Sequence, residues 1–244
     1  MKAVILAGGF ARRLWPLTKD RAKPLLEVGG KPIIQHILEK LEDLNGIDTI
    51  YISTNEKFGG QFQEFLKSYK SGKPIKLIVE PSGDEGEKLG AIGGWKYLID
   101  REGIDDELLI IAGDNMFEFS LENFFQFYRK HKSPVVAFYD MVQKEKVKDK
   151  YGIAVLSRKG KVLEFQEKTP NPKSTLVATC CYIFPKEIVR LIPDYLKDKN
   201  NPDAPGYFLI WLHTRQTVYG YVSKKKWFDI GCFEELEEAR KYYC

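Results

Sequence analysis

Between Ala3 and Leu26 the chain runs from an apolar segment through a glycine pair into a basic loop stiffened by proline. This stretch restricts the fold more than any other. Ala3–Leu6 is continuously apolar and ends at glycine, which reads as a strand buried on both faces of a parallel sheet. Gly8 and Gly9 remove side chains, so backbone N–H groups can approach an anion closely. Arg12, Arg13 and Lys23 bring positive charge, while Pro16 and Pro24 preset the turns. The segment predicts a phosphate-binding loop at a strand end. It is not a P-loop, because no Gly-Lys-Ser/Thr follows the glycines. It is not the dinucleotide fingerprint, whose second and third glycines are missing. A glycine pair alone would only end a strand. Arg13, Pro16-Leu17-Thr18 and Lys23-Pro24-Leu25 following it in order are far more specific.

The rest of the first half alternates two periodicities. Helical spacing joins Ile33, Ile34, Ile37, Leu38, Leu41 and Leu44 within Lys31–Leu44, with Pro32 suited to a first turn. Thr49–Ser53, Ile75–Glu80, Leu108–Ala112 and Val135–Tyr139 read as strands. Phe58–Tyr69, Leu89–Ile99 and Leu121–His131 read as the helices between them. Repeated βα units with short connections predict an α/β, Rossmann-like fold: a mainly parallel mixed sheet with helices on both faces. The second half is less regular. Ile153–Leu156 and Lys161–Gln166 suggest an antiparallel pair around Arg158-Lys159-Gly160. Leu176–Phe184, Thr217–Val222 and Trp227–Ile230 suggest strands; Lys186–Ile192, Pro205–Thr214 and Phe233–Tyr242 suggest helices. The expectation is a single catalytic domain over residues 1–244, its halves (about 1–140 and 141–244) sharing one sheet.

Composition narrows the function by exclusion. Lys and Arg number 38 against 34 Asp and Glu, a net charge of +4 that does not suggest a nucleic-acid binder. No stretch approaches the ~18 apolar residues of a membrane span, and the apolar run after Lys2 is too short for a signal peptide. Four cysteines form no metal-ligand pattern and are expected as free, mostly buried thiols in a cytoplasmic protein. Cys180 and Cys181, adjacent on a strand, should face opposite ways. His36 lies off the apolar face of its helix and is expected exposed. His131 and His213 end helices, where a cation suits the dipole. The aromatics of Phe117–Tyr128 read as core.

Two carboxylates then stand out. Gly113-Asp114-Asn115 follows the Leu108–Ala112 strand, and ligands sit off the carboxyl ends of strands in open α/β sheets. Asp114 therefore shares an edge with Gly8-Gly9, where Mg²⁺ would want one or two carboxylates beside phosphate oxygens. Asp229, in Trp227-Phe228-Asp229-Ile230-Gly231, ends a later strand. Either Asp can also be read as a turn former or helix cap.

Together these motifs resemble those of the sugar-1-phosphate nucleotidylyltransferases, or NDP-sugar pyrophosphorylases, closest to glucose-1-phosphate thymidylyltransferase-like members. Gly8, Gly9, Arg13, Leu14, Pro16, Leu17, Thr18, Lys23, Pro24 and Leu25 match the family signature. Ala11, Arg12 and Ala22 depart from it, and a Cβ at Ala11, where glycine is usual, would crowd the nucleotide phosphates. The resemblance implies the nucleotide-diphospho-sugar transferase type of fold. It implies a nucleoside triphosphate and a sugar 1-phosphate as substrates, with NDP-sugar and pyrophosphate as products. It assigns catalysis to Arg13 and Lys23, and Mg²⁺ to Asp114 and Asp229. It assigns the nucleotide to Leu6, Ala7, Gly8, Gly9, Glu80 and Gly90, the last through amides that meet the base. It assigns the sugar phosphate to Asn115, Gly152, Glu167, Lys168 and Thr179. Thr169 and Ala91 replace the usual Pro and Thr, and Cys180 stands in place of Gly, which leaves the sugar-pocket shape open. The resemblance leans to dTTP or UTP with glucose 1-phosphate. Cytidylyl or guanylyl transfer to another acceptor remains an alternative, as does a non-catalytic nucleotide-sugar-binding relative. A glycosyltransferase would show Asp-x-Asp, but Asn115-Met116 follows Asp114. No hexapeptide repeat is present, so a fused acetyltransferase is not expected. A homo-oligomer is compatible with the sequence.

Overall fold

The computed structural model describes residues 1–244. Lys2–Leu6 lies at the middle of a nine-stranded sheet, paired in parallel with Thr49–Asn55 on one side and Leu108–Ala112 on the other. Ile75–Glu80 extends the parallel part beyond Thr49–Asn55. The sheet changes sense at Leu176–Phe184, which runs antiparallel to Leu108–Ala112, Val135–Asp140 and Gly152–Leu156. Val162–Glu167 pairs antiparallel with Gly152–Leu156, and Tyr219–Ser223 parallel with Val135–Asp140. The sheet is mixed: the parallel arrangement belongs to the first half, and the antiparallel pairings gather around Leu176–Phe184.

Strand alternation divides the core in two. Ala3, Ile5, Leu109 and Ile111 point to one face, against Ile34, Ile37 and Leu41 of helix Ile33–Glu42 and Phe58 and Phe62 of helix Glu56–Ser68. Val4, Leu108 and Ile110 point to the other, against Ile92, Trp95 and Leu98 of helix Gly90–Glu102 and Phe208 and Leu212 of helix Pro205–His213. Burial on both faces explains why Ala3–Leu6 and Leu108–Ala112, at the centre of the sheet, carry no polar residue. Phe117, Phe119, Phe124, Phe125 and Tyr128 are buried, as expected of core.

Three local expectations change. Lys186–Ile192 is not one helix but two short ones, Lys186–Val189 and Ile192–Lys197. Pro193 has no N–H to continue the first, and instead takes the opening turn of the second. Lys31–Pro32 pairs with Glu27–Val28, so Pro32 sits at the helix N-cap rather than inside it. Asn115–Phe117 is an unforeseen strand, pairing antiparallel with Trp227–Asp229 outside the main sheet. That ribbon packs with Leu14, Leu26, Ile33 and the Leu236 and Ala239 face of helix Phe233–Tyr242 in a third, smaller cluster. No helix is long and apolar enough to cross a membrane.

Candidate active site

The glycine loop leaves the central strand and is gripped by the neighbouring strand end, Ser53-Thr54-Asn55. The Ala7 amide donates to the Ser53 carbonyl at 2.7 Å. The Thr54 hydroxyl donates to the Ala7 carbonyl at 3.1 Å, and the Asn55 amide to the Gly8 carbonyl at 2.9 Å. With its ends fixed in this way the loop is a rigid frame. A side chain added at Gly9 would meet nothing within 4 Å, so its backbone is open toward the adjoining cavity. Further on, Ala11 adopts a left-handed conformation at φ 49°, and the Thr18 hydroxyl donates to its carbonyl at 2.8 Å. A position that favours glycine is here held by alanine.

Asp114 and Asp229 meet because Asn115–Phe117 pairs with Trp227–Asp229, setting Asp229 opposite Asn115 in register. The Ile230 amide donates to the Asp114 carbonyl at 3.1 Å. Lys23 reaches in from the loop and ion-pairs with the Asp114 carboxylate. Burial would raise Asp114, but the Lys23 ammonium, together with the Asn115 amide donating at 2.8 Å, holds its carboxyl below the ordinary range. Asp229 is the opposite case. Burial first, and then repulsion from Asp114, push it up to about 7 against the pull of Lys23 and Arg13. No side chain or amide of the chain hydrogen-bonds its carboxylate, so Asp229 is a half-buried acid lacking a partner. Arg13 passes over bare Gly231, where a Cβ would stand 3.1 Å from the guanidinium.

Two cavities open on either side of this cluster. One, of about 300 Å³, is lined by Leu6, Gly8, Gly9, Glu80, Ser82 and Gly90. The other, of about 310 Å³, is lined by Arg13, Lys23, Tyr151, Gly152, Glu167 and Lys168. Asp114, Asp229, Cys180, Asp203 and Pro205 line both. In the second cavity Glu167 is packed against two glycines. A Cβ at Gly152 would come within 2.6 Å of its Oε2, and one at Gly206 within 1.7 Å. Burial raises the Glu167 carboxyl, with Lys168 partly offsetting it. Lys168 makes no ion pair and holds a left-handed backbone at φ 46°.

The chain thus brings Arg13, Lys23, Asp114, Asp229, Gly152, Glu167 and Lys168 to one face, with Leu6, Gly8, Gly9, Glu80 and Gly90 beside them. Four other expected site residues, Thr179, Ala7, Asn115 and Gly90, are engaged by the chain itself. Thr179 is fully buried, and its hydroxyl donates to the Ala137 carbonyl at 3.0 Å. Alternation along its strand gives the cavity to Ala178 and Cys180 instead. Ala7 is buried, with both backbone groups engaged by Ser53 and Thr54. Asn115 lines the first cavity with its side chain fixed between Asp114, to which its amide donates, and the Trp227 indole, which donates to its Oδ1, so it positions Asp114. Gly90 lines the cavity, but the two amides after it donate to Asp203 and Pro202 carbonyls of the same chain. Its φ of +74° lets that segment pass, since a Cβ would lie 2.5 Å from the Pro202 carbonyl.

Cys180 and Cys181 do fall on opposite sides of the sheet, but Cys180 takes φ 51° and breaks the strand register there. Burial pushes its thiol up to about 12, so it stays neutral. All four cysteines are free, and Cys244 is exposed rather than buried. His36 is half-buried, with Nε2 2.9 Å from the Val28 carbonyl, and burial lowers its pKa. Burial likewise lowers His131 and His213, so neither is favoured as a helix-end cation. The clamp Ser53-Thr54-Asn55 and the Asp203–Gly206 wall were not anticipated. A polar triplet closing an apolar strand was the one available signal for the first.

Four parallel strands whose carboxyl ends carry a glycine loop and two cavities define an α/β protein with its ligand edge at a single rim. The chain belongs to the nucleotidyl transferase family, whose profile it matches over residues 2–244. It is 34% identical over 242 residues to the bifunctional protein GlmU of Methanocaldococcus jannaschii, covering 99% of this chain and 54% of that protein. It is 29% identical to the UTP–glucose-1-phosphate uridylyltransferase of Synechocystis, covering 98% and 62%. It is 27% identical to mannose-1-phosphate guanylyltransferase 1 of Arabidopsis thaliana, covering 95% and 61%. The chain therefore spans between about half and three-fifths of these relatives' length. A solved UDP-glucose pyrophosphorylase with UDP-glucose shares the fold, with a TM-score of 0.82 at 20% identity over 99% of this chain and 97% of that one. A Bacillus anthracis protein assigned as a glucose-1-phosphate thymidylyltransferase has a TM-score of 0.80 at 25% identity, covering 100% and 95%.

Proposed function

We propose that this chain is a sugar-1-phosphate nucleotidylyltransferase, joining a nucleoside triphosphate to a sugar 1-phosphate with release of pyrophosphate. The observation that carries this reading is the placement of Asp114 and Asp229 on the wall shared by two cavities, with Lys23 paired to Asp114 from the second, beside an open glycine loop. The first cavity takes the nucleoside and the second the sugar, and the phosphates meet at the wall they share, Asp114 and Asp229, beside Arg13 and Lys23. Residues 1–140 and 141–244 then act as nucleotide and sugar halves of one catalytic domain.

The chemistry asks little of acid–base catalysis. A phosphate monoester oxygen is already a nucleophile, and the α-phosphorus is attacked in line as pyrophosphate leaves. Repulsion between anions is the obstacle, so positioning and charge neutralisation dominate. Gly8 and Gly9 offer backbone donors to the phosphates. Lys23 neutralises the α-phosphate, Arg13 holds the departing pyrophosphate, and Lys168 brings in the sugar phosphate. Glu167, between its two glycines, accepts from sugar hydroxyls.

Asp114 and Asp229 fit Mg²⁺. They are two carboxylates, the second with no partner of its own, and no third His, Cys, Asp or Glu converges with them. Bound there, Mg²⁺ would screen the phosphates as a Lewis acid. On this proposal the reaction takes place in the cytoplasm.

The sugar is glucose 1-phosphate or a related hexose phosphate, and the resemblance alone would pair it with dTTP or UTP. The test is pyrophosphate release with dTTP, UTP, CTP, GTP and ATP against several sugar phosphates in Mg²⁺. No release with any pair would refute the reading. Arg13→Ala should lower kcat by ~10²-fold or more; undiminished turnover would remove Arg13 from the mechanism.

A further inference from the structure

Glu80 ends its strand opposite Asn55 and lines the nucleotide cavity. It lies three strands from the Leu108–Ala112 strand that carries Asp114, or about 14 Å at the usual strand spacing. Both Glu80 carboxylate oxygens stand 3.7 Å from where a Gly8 Cβ would lie, so phosphates drawn to the open Gly9 backbone, Lys23 and Asp114 leave the end of the cavity between Glu80 and Gly8 to the base. The side chain is held from behind. Ser53 donates to Oε1 at 2.7 Å, and bare Gly94 admits the carboxylate where a Cβ would stand 2.8 Å from Oε1. Glu80 is only 9% exposed, and Oε2 accepts no hydrogen bond from the chain. No cation compensates it. Lys88 lines the same cavity but is tied to Glu85 at 2.8 Å and Asp203 at 3.2 Å. A buried carboxylate with unfilled acceptor sites is unfavourable until a ligand supplies donors.

We propose that Glu80 reads the base of the incoming nucleotide, and that this base is guanine. The proposal rests on the nucleotidyl-transfer reading and specifies its donor substrate. An ionised carboxylate only accepts. Guanine alone among the common bases offers two adjacent donors, N1–H and N2–H, on its pairing edge. Uracil and thymine offer a single N3–H flanked by two carbonyl oxygens, which the carboxylate repels. Cytosine and adenine each set a ring-nitrogen acceptor beside their amino group. Guanine is also served if the acid is protonated, since the acid then accepts from N1–H and donates to O6. The pyrimidines match only the protonated form. Guanine is thus the base that this side chain satisfies in either state.

The test pairs kinetics with direct binding. Calorimetric titration of the full chain with GTP, UTP, dTTP, CTP and ATP in Mg²⁺, without sugar phosphate, should give GTP the tightest binding. The kcat/KM for pyrophosphate release should favour GTP by about 10- to 100-fold, the discrimination usual for one bidentate base contact. Glu80→Gln, whose amide offers one donor and one acceptor, should collapse that ratio toward one by raising turnover with UTP and dTTP. Wild-type preference for UTP or dTTP, in binding or in turnover, would overturn the guanine assignment and leave nucleotidyl transfer standing. An unchanged base ratio in Glu80→Gln would overturn Glu80 as the reader. Absence of pyrophosphate release with every triphosphate would instead strike the parent reading, and the titrations would still decide the base.

Discussion

Asp229 sets charge against burial. Burial, and then the Asp114 carboxylate, push its carboxyl up to about 7 from the ordinary 3.8. The folded protein therefore keeps a proton that the unfolded chain releases, and this group's contribution to stability falls as pH rises from about 4 to about 7. Asparagine mimics the protonated acid. In metal-free buffer, Asp229→Asn should leave the melting temperature unchanged near pH 4 and raise it near pH 8, by up to a few kcal/mol of stability. The same variant should lose Mg²⁺-dependent turnover. Melting curves that coincide at both pH values would show that Asp229 is not held near Asp114 as described. Ala11 carries a different strain, its left-handed backbone. Ala11→Gly should raise stability by up to ~1 kcal/mol, seen as a higher melting temperature, with the loop hydrogen bond from Thr18 retained.

Among elements, the Thr49–Asn55 strand end does more than continue the sheet. Asn55 accepts from the Phe58 amide at 3.1 Å as the N-cap of helix Glu56–Ser68, while its own amide holds Gly8. Asn55→Ala should cost ~1–2 kcal/mol in chemical unfolding, the usual loss of a cap. It should also raise KM for the nucleoside triphosphate, because the glycine loop loses one of its three ties. Gly206 gives a cleaner separation of the two cavities. A methyl there meets Glu167, so Gly206→Ala should raise KM for the sugar phosphate at least tenfold, leaving nucleotide affinity in titration unchanged. The glycine loop, the parallel strands and Asp114 were legible because each is a local pattern: an apolar run, a glycine pair, an acid at a strand end. Thr179 was assigned by resemblance, whereas plain alternation along Leu176–Phe184 already turns it away from the cavity that Ala178 and Cys180 line. The Asn115–Phe117 ribbon was missed because its partner lies more than a hundred residues away.

At the scale of the whole molecule, the site depends on a core that is not part of the sheet. Leu14 follows Arg13, Phe228 precedes Asp229, and both pack with Leu236 and Ala239 of the last helix in the third cluster. The same helix ties back through Arg240, whose Nε donates to the Glu27 carbonyl at 3.1 Å. The chain's end thus sets the spacing between the arginine loop and the second carboxylate without offering a side chain to either cavity. Leu236 is fully buried, and Leu236→Ala should cost ~2–5 kcal/mol. Because the small cluster is separate from the two sheet cores, the loss should be local. Amide exchange should quicken at Leu14, Trp15 and Trp227–Ile230 while Lys2–Leu6 and Leu108–Ala112 keep their protection. At a temperature where the variant is still folded, kcat should fall and the KM for Mg²⁺ should rise. Leu212→Ala supplies the contrast: it removes an equally buried leucine from the sheet core. It should lower the melting temperature comparably and leave kcat unchanged. If both variants kept wild-type kcat below their melting points, the last helix would hold the fold together without aligning Arg13 and Asp229.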